Sequence, residues 1–185
     1  MTILGDKAQT LDEQMRDVLQ FLPGVFDQKI RKIVMNKSYR NTMEIARYAE
    51  KLTGVKDVEL LKRHGKEVVE EQFQTEDAVL DEIFSKAKLG EDEYETAAII
   101  TMTEAEASTL YQILKARGEE VHYIDRNSSV FKKGLTVTTF YLAKGLEFDQ
   151  VFGVFQDAGN PMLNQAKYIC ATRALHELYM YQITE

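Results

Sequence analysis

The sequence predicts an α/β fold, a mostly parallel sheet with helices on both faces. Three observations predict it. Short β-branched or apolar runs alternate with segments of helical period along the whole chain. Caps and turns separate them, since two prolines and ten glycines in 185 residues leave no linker, low-complexity run or repeat. Finally, Thr96 to Met102 lacks polar alternation, the pattern of a strand buried on both sides.

The elements follow in order. Thr2 to Leu4 is a short apolar run ending in Gly5-Asp6. Thr10-Leu11-Asp12-Glu13 has capping-box spacing, and Leu11, Met15, Val18, Leu19 and Leu22 share the face of a helix that Pro23-Gly24 stops. Lys29 to Met35, with Ile30, Ile33 and Val34, reads as a strand. A helix over Asn41 to Lys51 follows, closed by Gly54. Val58 to Phe73 reads as two extended pieces broken at Gly65. Thr75 caps a helix with acidic residues in its first turn, and Val79, Leu80, Ile83, Phe84 and Ala87 turn inward. After the Thr96 to Met102 strand, Thr103 and Glu106 repeat the capping-box spacing ahead of Ala107, Leu110, Tyr111 and Leu114, and Gly118 ends that helix. Val121 to Ile124, Leu135 to Phe140, Val151 to Phe155 and Leu178 to Ile183 are further strands, with a helix from Met162 to about Thr172.

Composition excludes several classes. At 44% hydrophobic residues the chain can bury a core without staples. The single Cys170 makes no internal disulfide, and His64, His122 and His176 lack ligand spacing, so no metal site is predicted. No run approaches the roughly 20 apolar residues of a membrane span, and the chain reads as cytoplasmic, without a membrane partner. The net charge of −7 restricts any nucleic-acid contact to a local patch. Tyr168, Tyr179, Tyr181 and Cys170 are expected to pack in or beside the sheet.

Four short segments sit near the ends of these elements and carry chemistry. Gly5-Asp6-Lys7-Ala8-Gln9 is a turn before a helix. Ser38-Tyr39-Arg40 offers a flat ring for a base and a forked cation for phosphate. Thr139 to Asp149 places Gly145, where backbone amides can approach an anion, beside Lys144 and Glu147, a carboxylate able to accept from a ribose hydroxyl. Ala171-Thr172-Arg173-Ala174, at a helix-to-strand junction, sets an arginine where it can reach a phosphate held by another domain.

Together and in this order, these segments resemble motifs of the UvrD/Rep-type superfamily 1 helicases. Gly5-Asp6 with Gln9 looks like the third motif, Tyr39-Arg40 the fourth, Thr139 to Glu147 the fifth, and Thr172-Arg173-Ala174 the sixth. The most specific parts are Lys144-Gly145-Leu146-Glu147 and Ala171-Thr172-Arg173-Ala174-Leu175.

The resemblance implies a RecA-like (P-loop NTPase-like) lobe, the second of two motor lobes, with residues 1–22 belonging to the end of the first. It implies ATP with Mg2+ as cofactor, the magnesium held mainly by the first lobe. Gln9, with Gly5 and Asp6, would sense the γ-phosphate from the first lobe's edge. Tyr39 would stack on adenine, Arg40 and Arg173 would point at the γ-phosphate, and Glu147, beside Gly145, would hold the ribose. Thr139 and Tyr141 would lie toward single-stranded DNA gripped across the lobes.

Departures refine this expectation. Tyr141 stands where many relatives have histidine. Tyr141 to Glu147 resembles the HelD-like branch, whose Gram-positive members associate with RNA polymerase, so a polymerase-remodelling ATPase that does not use DNA as a track is the alternative. Arg40 to Thr139 leaves no room for a large inserted subdomain. No Gly-x-x-x-x-Gly-Lys-Ser/Thr loop and no acidic pair for magnesium occurs, so the chain is expected not to hydrolyse ATP without an N-terminal lobe.

Overall fold

The computed structural model describes residues 24–25, 33, 37–38, 40–54, 59–60, 62–90, 94–128, 131–156 and 158–184. The elements in chain order are β1 (Lys37–Ser38), α1 (Met43–Thr53), β2 (Glu59–Leu60), β3 (Val69–Phe73), α2 (Glu76–Lys86), β4 (Thr96–Thr101), α3 (Glu104–Ala116), β5 (Val121–Tyr123), β6 (Gly134–Thr139), β7 (Phe148–Phe155), α4 (Leu163–Arg173) and β8 (Ala174–Ile183). A six-stranded sheet has the order β3-β8-β7-β4-β6-β5, and every pairing in it is parallel. β1 and β2 form a separate parallel pair, Lys37 opposite Glu59.

Local chemistry explains the helix starts. Thr42, Thr75 and Thr103 each accept a backbone N–H from the first turn of α1, α2 and α3. At Thr103 the box is reciprocal: Glu106 N donates to the threonine hydroxyl while the Glu106 carboxylate accepts from Thr103 N at 2.8 Å. Gly54 ends α1 in the left-handed region at φ 69°. The helix expected over Leu11 to Leu22 lies outside the described residues. So does the strand expected over Lys29 to Met35, apart from Ile33, which is exposed and in no strand.

Both sheet faces are covered, which is why β4 reads as an unbroken apolar run. Ala98 and Ile100 point to one face, packed with Ile45 of α1, with Ile169 and Cys170 of α4, and with Phe140 and Ala143. Ala97 and Ile99 point to the other, against Leu80 and Ile83 of α2 and Leu110 and Leu114 of α3. Phe152 of β7 stacks on Tyr179 of β8 at 4.9 Å on that second face, so Tyr179 and Tyr181 are core residues. Cys170 is fully buried, and burial pushes its thiol pKa well up.

Two strands begin earlier than the sequence predicts. β7 starts at Phe148 rather than Val151, and β8 at Ala174 rather than Leu178, because α4 runs into β8 with no intervening loop. The polar residues that read as loop, Gln150 and Glu177, are buried and hydrogen-bonded to each other. Between β6 and β7, residues 140–147 cross the first face, leaving the carboxyl end of β6 and arriving at the amino end of β7. Among the described residues no helix is long and apolar enough to cross a membrane, and no three His, Cys, Asp or Glu side chains gather as metal ligands.

Candidate functional site

The α4–β8 junction is the starting point. Arg173 is the last residue of α4 and only 3% exposed. Its Nη1 donates to the Leu146 carbonyl at 3.2 Å, and Nε and Nη2 each donate to Thr172 Oγ1 at 3.3 Å. The sixth motif-like segment is thereby fastened to the fifth, one residue before Glu147. The Glu147 carboxylate in turn pairs with Arg40 Nη2 at 2.6 Å, with both side chains half-exposed. The Asn41 amide donates to Ala171 O at 2.8 Å and Ala174 O at 2.7 Å, supplying donors that the last carbonyls of a helix lack. Arg40, Glu147 and Arg173, far apart in sequence, are thus one cluster.

The cluster sits at the amino ends of β7 and β8. Open α/β sheets more usually hold their ligands at the carboxyl ends. Thr139, the last residue of β6, and Tyr141, just beyond it, lie at that opposite edge. Thr139 is 1% exposed, and its hydroxyl has no hydrogen-bond partner among the described residues. Tyr141 is half-buried, and its hydroxyl donates to Glu104 Oε1 at 2.9 Å, the oxygen that also accepts from Arg126 Nε at 2.8 Å. The fifth segment therefore spans the sheet, with Tyr141 at one edge and Glu147 at the other. Within it Gly145 turns the chain at φ 94°, while a Cβ there would meet nothing within 4 Å among the described residues. Gly5, Asp6, Gln9 and Tyr39 lie outside the described residues.

Sequence reading missed two neighbours. Arg63, in the loop before β3, donates through Nη2 to Arg40 O at 2.7 Å and to Leu175 O. Beside it lies a cleft of about 340 Å³, lined by Arg63, His64, Lys66, Lys88, Tyr94 and His176. Glu177 also lines it and is 3% exposed. One of its oxygens accepts from Lys66 Nζ and Lys88 Nζ, each at 3.0 Å. The other accepts from Tyr179 OH at 2.7 Å and Gln150 Nε2 at 2.9 Å. Burial alone would raise the Glu177 pKa, but these donors outweigh it and hold the carboxyl at about 2. The sequence signal is a lone carboxylate, Glu177, directly before an apolar strand run.

Glu44, in the first turn of α1, is held at about 2 as well, by its hydrogen bonds to His64 Nδ1 at 2.9 Å and Gly65 N at 2.8 Å.

No protein-family model matches the chain, and no curated protein matches it. Among solved structures it is similar to the C-terminal domain of a possible DNA helicase from Lactobacillus plantarum WCFS1, with 28% identity and a TM-score of 0.57 over 79% of this chain and 88% of that one. The Arterivirus nonstructural protein 10 helicase, free and in complex with DNA, gives TM-scores of 0.40 and 0.41 at 12% and 11% identity; the chain spans 27% and 28% of those longer chains. With its six parallel strands and its two helical layers, the chain has the α/β, RecA-like fold of a helicase C-terminal domain.

Proposed function

We propose that this chain is the second motor lobe of an ATP-dependent DNA helicase or translocase of the UvrD/Rep type, HelD-like in its fifth motif. The observation that carries this reading is the convergence of Arg40, Glu147 and Arg173 on one sheet edge, in a fold shared with a helicase C-terminal domain at 28% identity. The residue types suit a nucleoside triphosphate: once their pair opens, half-exposed Arg40 supplies charge for a polyphosphate and Glu147 an acceptor for a sugar hydroxyl. Buried Arg173 reaches a phosphate by exchanging its bonds to Leu146 O and Thr172 for it.

ATP with Mg2+, when bound between this lobe and an N-terminal lobe, supplies the phosphoanhydride whose cleavage drives the motor. Arg40 and Arg173 bind the γ-phosphate and offset the charge that develops on it. Tyr39, adjacent to Arg40 in sequence, stacks on the base, Glu147 orients the ribose, and Gln9, Gly5 and Asp6 belong to the facing edge of the first lobe. Single-stranded DNA lies along the opposite edge, near Tyr141 and the backbone after Thr139. Residues 140–147 join the two edges and carry a displacement at Glu147 toward the strand.

Steady-state ATP hydrolysis tests the reading, using this lobe joined to its N-terminal lobe, with and without single-stranded DNA. Arg173→Ala is expected to lower turnover roughly a thousand-fold while sparing nucleotide binding. Normal turnover in that variant sinks the assignment. Turnover lost in the variant but indifferent to DNA would instead favour the polymerase-remodelling factor, the reading to which the HelD-like phrase Tyr141 to Glu147 and the net charge of −7 lend support.

A further inference from the structure

We infer that Arg63 is a positioning residue that sets Arg40 against the Arg173 junction; the inference rests on the motor-lobe reading above. Arg63 belongs to none of the motif-like segments, yet its guanidinium is the third party between two of them. Nη2 donates both to the carbonyl of Arg40, whose side chain pairs with Glu147, and to the carbonyl of Leu175, two residues past Arg173. A planar fork with fixed donors holds two carbonyls in one relative orientation. A lysine ammonium is a rotating point charge and does so less well.

The loop carrying Arg63 is itself fixed. The Arg63 carbonyl accepts from Met43 N at 2.8 Å, the first residue of α1. The next two residues, His64 and Gly65, are held by the Glu44 carboxylate of the same helix turn. Gly65 is pressed so close that a Cβ would stand 2.6 Å from Thr42 Cγ2. Arg63 Nε is buried without a partner among the described residues, a cost that makes sense where the two carbonyls dictate how the guanidinium lies. Asn41, bonded to Ala171 O and Ala174 O, ties the same two segments directly, so Arg63 sets their alignment and is not their sole attachment.

The test uses the two-lobe protein, comparing Arg63→Ala, Arg63→Lys and Gly65→Ala with Arg173→Ala below their melting midpoints. A misplacement near 1 Å at a reacting centre costs on the order of 100-fold. Arg63→Ala is therefore expected to lower kcat about 10- to 100-fold with KM for ATP within about threefold. Arg63→Lys should recover part of the loss, and Gly65→Ala, which shifts the loop, should reproduce part of it. A merely structural role would leave the kcat of the folded variant intact. Wild-type kcat in Arg63→Ala beside a dead Arg173→Ala overturns the positioning role, as does a rise in KM at constant kcat. An active Arg173→Ala overturns the motor-lobe reading itself. If Arg63→Ala does not fold, Arg63→Lys decides: a several-fold lower kcat supports the role and full activity overturns it.

Discussion

The Arg40 guanidinium and the Glu147 carboxylate meet at 2.6 Å on the amino-terminal edge of the sheet. Each is more than two-fifths exposed, so water screens the pair and holding two long side chains in one geometry costs entropy. A double-mutant cycle on Arg40→Ala and Glu147→Ala, measured by urea unfolding, is expected to give a coupling of no more than about 1 kcal/mol, shrinking with added salt. A coupling of several kcal/mol that is insensitive to salt would make the pair a structural strut instead of an available pair of ligands.

Two glycines should respond to alanine for different reasons. At Gly145 a methyl group has open space, but φ is 94°, so the cost is backbone strain of roughly 1 kcal/mol. At Gly153, inside β7, a Cβ would stand 2.7 Å from Met180 Sδ and 2.9 Å from Phe155 Cε2, an overpacking cost of about 1–3 kcal/mol. Urea midpoints are expected to rank wild type above Gly145→Ala above Gly153→Ala. The reverse order of the two variants would show that the core beside Gly153 yields more readily than the turn.

Cys170 is fully buried in α4 and its thiol pKa is pushed up by burial, so little thiolate forms near neutral pH. Native protein is expected to react with a disulfide reagent only at the rate of its unfolding, and denatured protein within seconds to minutes. Rapid stoichiometric labelling of folded protein would show that α4 opens locally.

Most of the helices and strands were legible because their signals are local. Thr103 and Glu106 sit at capping-box spacing, and Ala97 to Ile100 leave no solvent face. The start of β8 was not legible, because Glu177 and His176 look like loop residues until Lys66, Lys88 and Gln150 are known to meet Glu177, and Tyr94 to stack on His176, across the fold. At the candidate site, Arg40, Glu147 and Arg173 could be named from short segments, but their meeting at the amino edge depends on strand order, which no local pattern encodes. Arg63 left no signal: its role comes from two carbonyls contributed by distant segments.

Acid should act on the fold through Glu177. Its carboxyl is held at about 2, against an ordinary 4.5, by donors that overcome its burial. A folded pKa below the unfolded one means the folded state binds fewer protons between the two values. The stabilisation is therefore fully present above about 4.5 and is lost as pH falls toward 2. Glu177→Gln removes the charge that titrates and leaves one acceptor oxygen, which serves either the two lysines or Tyr179 and Gln150. The variant is expected to be less stable than wild type at pH 7, and the gap should narrow between pH 4.5 and pH 2, by urea unfolding across that range. Glu44, depressed in the same direction, leaves some acid sensitivity in the variant. A gap that stays constant with pH would show that Glu177 stabilises the β7–β8 edge by its shape and hydrogen bonds alone, and that Lys66 and Lys88 contribute no charge interaction to it.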